Sequence, residues 1–191
     1  MDNEIYPVRF SIENKPSRDR LSTLFRVFVS IPIIVVYFIF TKLSNLIIFP
    51  VFLMIVFQRK YPKWWFDFNL SLSQFSARVM SYFCFLVDEY PSTDQEQSVH
   101  LSFEYPNVDT QLHQFLPLIK WLLALPHYIV LALLMVIGLF VSTLSWFSVL
   151  FTGHYPERFF NYQVGVCRWC LRVEAYAFLL ITDEYPPFSL N

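Results

Sequence analysis

The sequence contains few of the residues that phosphate-binding loops, nucleic-acid surfaces and soluble domains need. Of its 191 residues, three are glycine and three are cysteine, and 15% are charged. Soluble domains carry about 25% charged residues. The shortage of glycine and the net charge of -1 argue against a glycine-rich phosphate loop and against a nucleic-acid surface. We therefore expect no nucleic-acid partner.

The chain is correspondingly rich in apolar residues. The chain is 55% hydrophobic and 20% aromatic, and its mean hydropathy is +0.44. Residues 121–152 contain no Asp, Glu, Lys or Arg, and residues 27–57 contain a single charge, Lys42. As helices, both stretches would be longer than the hydrocarbon core of a bilayer is thick, which is roughly 30 Å. The sequence therefore predicts an integral membrane protein, and the first residues show no pattern of a cleaved signal peptide.

The chain is an internal repeat with a period of 94 residues. Tyr61, Pro62, Phe66, Arg78, Val79 and Tyr82 recur as Tyr155, Pro156, Phe160, Arg172, Val173 and Tyr176. Asp-Glu-Tyr-Pro occurs at 88–91 and again at 183–186, and residues 8–13 resemble residues 99–104. We predict two tandem units, residues 1–94 and residues 95–191.

Each unit begins with an alternating stretch typical of a half-buried strand, at 8–13 and 99–104. A long apolar helix, a Tyr-Pro turn and a second helix, at 66–87 or 160–181, follow. We predict an all-α integral membrane protein with two pseudo-symmetric units of two transmembrane helices each, four in total, and short β-strands on one membrane face. Three crossings per unit would instead invert the second unit. Strand pairing favours two crossings, since paired strands must emerge on the same face.

Basic residues give a mild preference for a cytoplasmic N-terminus in a multi-pass cell-membrane protein. They collect before or at the start of the long helices, at Arg9, Lys15, Arg18, Arg20, Arg26 and Lys120.

Three arginines lie within the predicted second helices. Arg78 and Arg172 occupy equivalent positions, and Arg168 lies one turn before Arg172 on the same helix face. Charge at membrane depth is costly and normally faces a partner, a cavity or headgroups. These arginines are therefore candidate contacts for an anionic lipid or ligand, such as a bound phospholipid. Alternatively, they snorkel or pair with nearby carboxylates.

Other polar and aromatic residues have more structural interpretations. His127, beside Pro126, is a candidate polar site at a helix kink. Tyr61, Trp64, Trp65, Tyr155 and Phe159 are a candidate aromatic belt at the membrane interface. Cys167 and Cys170 form a Cys-x-x-Cys pair, but Ser73 and Ser76 replace them in the first unit, which favours helix packing over redox chemistry. No nucleophile with a base and no metal-ligand spacing is evident, so we expect no catalytic residue, metal or cofactor.

The second unit resembles a widespread bacterial membrane family known only as a domain of unknown function, DUF4389. The likeness lies in residues 120–130, 146–156 and 182–188, with Arg168-Trp and Arg172-Val between them. The first unit departs from it, since Ile33 stands at the His127 position and Lys60 at the His154 position. The resemblance implies a bacterial inner-membrane domain present in two copies, and it supplies no activity.

Two functions are compatible with these observations. We expect a non-enzymatic accessory or scaffold subunit that packs with partner membrane proteins within the lipid bilayer. The alternative is a protein that binds or transports a lipid or other amphiphile through the paired helix arginines.

Overall fold

The computed structural model describes residues 6–15, 17–93, 95–108 and 112–191, except for the side chains of Val27 and residues 43–51. Asp94, the last residue of the predicted first unit, lies outside these ranges. The described chain is mostly helical with one small sheet, as predicted. Its elements are β1 (Val8–Ile12), α1 (Arg20–Gln58), α2 (Lys63–Phe83), β2 (Val99–Phe103), α3 (Pro117–Leu123), α4 (Leu125–Thr152) and α5 (Glu157–Ala177).

Local sequence signals explain where the helices begin and end. The side chain of Asp19 accepts a hydrogen bond from the Leu21 amide and caps α1. Pro62 and Pro156 immediately precede α2 and α5, which suits helix starts because proline cannot extend a preceding helix. Gly153 ends α4 in the left-handed conformation, with φ of 76°, where glycine has no steric penalty.

The two strands form an antiparallel sheet centred on equivalent residues of the two units. Phe10 pairs with Leu101, while Val8 pairs with Phe103 and Ile12 pairs with Val99. Phe10 and Leu101 hold the same position in their units. A register of this kind places a pseudo-two-fold axis through the centre of the sheet.

The helices of the two units run antiparallel to each other. In the α2–α5 pair, the free thiol of Cys84, just after α2, lies close to that of Cys167, while Ser73 in the middle of α2 lies close to Glu174. In the α1–α4 pair, the Trp146 indole near the end of α4 donates to the Thr23 carbonyl near the start of α1, at 3.2 Å. Because the axis relates antiparallel helices, it runs across them rather than along them.

The sheet, the α2–α5 pair and the α1–α4 pair form three successive layers. The strand of each unit packs on the second helix of the other unit. β1 of the first unit packs on α5, and β2 of the second unit packs on α2. Alternate strand residues, such as Phe10 and Leu101, point into this core, while Arg9 and His100 face outward. Complete burial of one such large apolar side chain contributes about 1.5–3 kcal/mol, and each strand contributes its share to the other unit's helix.

The four predicted membrane crossings are not supported. Among the described residues, α4 is the one helix long and apolar enough to cross a bilayer alone, and residues 20–26 and 28–42 of α1 qualify only together, across a 57° bend. α2 and α5 are long enough but too polar. α5 alone carries Glu157, Arg158, Arg168, Arg172 and Glu174. The sequence analysis predicted that α2 and α5 cross the membrane because they are long enough, and it gave too little weight to these charged residues.

Candidate functional site

An ion pair joins the start of the long helical segment to the Asp-Glu-Tyr-Pro motif in both units. Arg26 Nη2 lies 2.7 Å from Asp88 Oδ1, and Lys120 Nζ lies 2.6 Å from Asp183 Oδ1. The main-chain amides of Asp19 and His113 donate to the second oxygens of the same carboxylates. We call these two arrangements the clasps.

Each clasp cation is buried and has a carbonyl oxygen and an aromatic ring as further partners, and the two rings occupy equivalent positions in the repeat. The Arg26 guanidinium donates to the Tyr82 carbonyl at 3.1 Å, and the Lys120 ammonium donates to the Thr182 carbonyl at 2.7 Å. Arg26 also lies 4.4 Å from the centre of the Tyr82 ring, and Lys120 lies 5.2 Å from that of Tyr176, within cation–π range. Burial lowers the pKa of Lys120, and Asp183 opposes that shift.

Tyr61 and Tyr155 link the two units by reciprocal hydrogen bonds. The Tyr61 hydroxyl donates to the Leu179 carbonyl at 2.7 Å, and the Tyr155 hydroxyl donates to the Cys84 carbonyl at 3.2 Å. Both acceptors lie within two residues of the end of the last helix of the other unit. Of the predicted aromatic belt, Tyr61, Trp65 and Tyr155 are buried, Phe159 is half-buried, and Trp64 is exposed.

The three predicted arginines hold main-chain carbonyls near the sheet. Arg78 donates to the Ser92 carbonyl at 2.6 Å, and Arg172 donates to the Ser189 carbonyl at 3.5 Å. Arg168 donates to the Phe10 carbonyl at 3.3 Å and to the Leu190 carbonyl at 3.1 Å. Arg78 and Gln74 also line a cavity of about 580 Å³ beside the sheet.

The carbonyls at the centre of the sheet receive matching bonds from the two units. Gln74, which occupies the Arg168 position of the first unit, donates to the Leu101 carbonyl at 2.9 Å, as Arg168 does to the Phe10 carbonyl. Each unit therefore uses a polar side chain of its second helix to hold the strand of the other unit.

His127 is completely buried in an aromatic cluster at the start of α4. Its Nδ1 accepts a hydrogen bond from the Trp169 indole at 3.0 Å. The Phe188 ring stacks on the imidazole, with 4.0 Å between ring centres. These contacts connect α4 to α5 and to the C-terminal segment. Within the described ranges, no three His, Cys, Asp or Glu side chains form a group that could hold a metal ion.

A trough runs along the face of α2 and α5 opposite the sheet, between α1 and α4. It consists of three adjoining cavities of about 450, 440 and 480 Å³. The first two share Tyr37, Ser76, Cys170 and Glu174, and the last two share Met80 and Phe83. Most of the lining is apolar. A row of adjoining, mostly apolar cavities suits a ligand with a long hydrocarbon chain.

The outer faces of α1 and α4 are also apolar and uncovered. Phe28 is 71% exposed, and Phe57 and Phe151 are each 77% exposed. Of the most apolar 18-residue window of α4, 17% is buried within the protein. The polar strand residues Arg9 and His100 lie on the opposite side of the molecule. The protein therefore has one polar face and one apolar face.

A family model described as "Domain of unknown function (DUF4389)" matches residues 20–93 and residues 117–189. Together the two matches cover more than half of the chain. The chain belongs to the DUF4389 family. One copy of the DUF4389 domain lies in each predicted unit, so the predicted tandem duplication is confirmed. β1 and β2 lie outside both copies. No curated protein and no solved structure shows a significant match to the chain.

Sequence reasoning did not identify the clasps of the two DUF4389 copies or Glu174 of the trough. The clasps could have been found in the sequence, because Arg26 and Lys120 are 94 residues apart and both copies contain the same Asp-Glu-Tyr-Pro motif. The repeat gave no indication of a role for Glu174, because Met80 occupies its position in the first copy.

Proposed function

We propose that this DUF4389 protein is a non-enzymatic membrane protein that lies in one leaflet of the bilayer and binds a single-chain amphiphile in the trough. The observation that carries the proposal is the apolar trough between two helices whose outer faces are also apolar. Exposed apolar patches of this extent are characteristic of membrane or protein contacts. The trough would open toward the acyl chains.

The pseudo-two-fold axis favours helices that lie along the membrane over helices that cross it. If α4 were parallel to the membrane normal, the axis would lie in the membrane plane, and the sheet would sit at mid-depth. The sheet carries the Arg9–Glu104 ion pair, whose side chains are 59% and 61% exposed. Exposing each charge to hydrocarbon costs about 2.5–3.5 kcal/mol or more. With the axis along the normal, the same charges face water.

Basic residues favour the cytoplasmic leaflet of the bacterial inner membrane for this arrangement. Lys15, Arg18 and Arg20 precede or begin α1, and basic segments next to the membrane are preferentially cytoplasmic. The polar sheet would then face the cytoplasm.

Site-directed labelling distinguishes the proposed orientation from four crossings. Single cysteines at positions 42, 60 and 92, in a chain with Cys84, Cys167 and Cys170 changed to Ser, are exposed to an impermeant maleimide in sealed inverted and right-side-out vesicles. We expect positions 60 and 92 both to react from the cytoplasmic side, and position 42, beside Phe38 on the outer face of α1, to be shielded from the reagent on both sides. Reaction of positions 60 and 92 from opposite sides would contradict the proposal.

Amphiphile binding is tested by native mass spectrometry of the protein extracted in mild detergent. We expect a stoichiometric bound species with the mass of a single-chain amphiphile. Changing Gly138 to Leu should remove it, because a Cβ at Gly138 already approaches Gln163 Oε1 to 3.1 Å and a larger side chain would narrow the trough. Leu133→Ala, on the exposed face of α4, is the matched control. Equal retention by both variants would contradict binding in the trough.

A scaffold role is the second candidate, favoured by the exposed aromatic residues outside the trough, such as Phe28 and Phe151. Aromatic residues are enriched where protein partners meet. Here the partner would be another membrane protein that packs on α1 or α4. Replacing Phe28 and Phe151 with Leu should then release a co-purifying protein while expression stays constant. If the co-purifying proteins are unchanged, these two residues contact lipid and not a protein partner.

A further inference from the structure

One end of the trough contains an acidic side chain without a basic partner. Glu174 lines the two adjoining cavities at that end, and Ser73 of α2 lies close to it in the same lining. Among the described residues, no Lys, Arg or His forms an ion pair with Glu174. Burial raises the pKa of Glu174 to about 7. Glu174 is half-buried, and a carboxylate that is partly withdrawn from water is costly unless a cation accompanies it.

Aromatic rings from three parts of the chain surround the same cavity. Tyr37 of α1, Tyr128 of α4 and Phe178 after α5 line it together with Glu174. The Tyr128 and Phe178 rings stack, with 6.1 Å between their centres. The Tyr128 hydroxyl is buried and has no hydrogen-bond partner among the described residues. Aromatic faces and a carboxylate together attract an ammonium group, and the free hydroxyl oxygen can accept its hydrogen bond.

The equivalent position in the first unit lacks this chemistry. Met80 occupies it and lies where the middle cavity meets the third. The third cavity continues from Met80 past Gly138 to Trp146, and its described lining contains no charged residue. The trough is therefore acidic at one end and neutral at the other, as a cationic amphiphile requires.

We propose that Glu174, Tyr37, Tyr128 and Phe178 form an ammonium pocket that binds the headgroup of a single-chain cationic amphiphile. The chain of the amphiphile would extend past Met80 toward Trp146. This inference rests on the proposed binding in the trough, and it assigns the headgroup class. An anionic headgroup would meet a carboxylate and no basic side chain among the described lining residues.

Hexadecylamine, hexadecanol and hexadecanoate are suitable probes, because they share one chain and differ in headgroup charge. Each is added to the full chain in dodecyl maltoside at pH 8, and the bound fraction is measured by native mass spectrometry. We expect hexadecylamine to bind at least tenfold more tightly than the other two. Glu174→Gln should abolish that preference. Glu104→Gln makes the same change at an exposed carboxylate outside the trough and should leave the preference intact.

The pH dependence provides an independent check. Below pH 7 the Glu174 carboxyl is increasingly protonated, whereas the amine stays charged, so hexadecylamine binding should weaken between pH 8 and pH 5.5. The other titratable side chains that line this end belong to Tyr37, Tyr128 and Cys170, and burial raises the pKa of Tyr128 and of Cys170 above their ordinary values. The Glu174→Gln protein should show no such change.

The outcomes separate the two proposals. Equal binding of hexadecanol and hexadecylamine, or an unchanged preference in Glu174→Gln, would overturn the ammonium pocket and leave an unselective trough. Failure of every probe to bind would overturn binding in the trough itself. Circular dichroism of each variant, and its flotation with phosphatidylcholine vesicles, must match the wild type, so that loss of binding is not loss of fold or of membrane attachment.

Discussion

At the scale of single residues, the clasps show how the protein keeps two cations away from water. Arg26 and Lys120 each have a carboxylate, a carbonyl oxygen and an aromatic ring as partners. A buried cation that loses its carboxylate retains its desolvation cost without compensation. The aspartates of the repeated motif are therefore structural requirements of each unit.

We expect Asp88→Asn and Asp183→Asn to destabilise the protein by about 3 kcal/mol each, because each change leaves a buried cation unpaired. Chemical unfolding followed by circular dichroism measures this loss. Glu104→Gln is the matched control, since it breaks the exposed pair with Arg9 and should cost less than about 1 kcal/mol. Similar losses for all three variants would contradict the special role of the clasps.

The raised pKa of Glu174 gives stability a definite pH dependence. With a folded pKa of about 7 and an unfolded pKa near 4.3, the folded state binds the proton more tightly, so stability falls as pH rises between these values. Glu174→Gln removes this penalty. We expect it to raise unfolding stability at pH 8 by on the order of 1–3 kcal/mol and to change it little at pH 4. A larger gain at pH 4 than at pH 8 would be inconsistent with the raised pKa.

At the scale of elements, the turn before each second helix joins the two units. Tyr61→Phe and Tyr155→Phe each remove one hydroxyl and leave a carbonyl of the other unit without its donor. We expect each to cost about 1 kcal/mol, measured by chemical unfolding. Tyr90→Phe, at a half-exposed ring, should be nearly neutral. A neutral effect at both Tyr61 and Tyr155 would show that these bonds do not hold the units together.

Sequence reasoning succeeded for elements that a local pattern specifies. The alternation at residues 8–13 and 99–104 correctly predicted β1 and β2, and the 94-residue period predicted the two domain copies. Sequence reasoning failed to predict that α2 and α5 hold the sheet, because the partners of their polar residues are far away in the sequence. Gln74 and Arg168 bond strand carbonyls of the other unit, a pairing that periodicity within one helix cannot reveal. The trough was missed because it is formed between four helices.

At the scale of the whole molecule, neither unit is complete. Each second helix is covered by the strand of the other unit, and each tyrosine turn bonds the other unit's chain. Residues 95–191 alone would leave β2 without its partner strand and α5 without β1. Unpaired edges and uncovered apolar faces favour self-association.

We therefore expect residues 95–191, produced alone in mild detergent, to form a homodimer or to remain unfolded. Residues 1–94 produced in the same cells should assemble with them and restore the native far-ultraviolet spectrum. Size-exclusion chromatography with light scattering and circular dichroism measure both outcomes. A stable folded monomer of residues 95–191 would contradict the interdependence of the units.

The pairing of Phe10 with Leu101 also bears on how the protein arose. A strand that pairs in antiparallel register about its own central residue can pair equally well with an identical copy of itself. The simplest ancestor is therefore a single-unit protein that assembled as a symmetric pair of separate chains. Joining two such copies in one chain would preserve that assembly and release each copy from the need to match the other. An acidic residue could then be gained at one position without a second one facing it across the axis, as Glu174 and Met80 now illustrate.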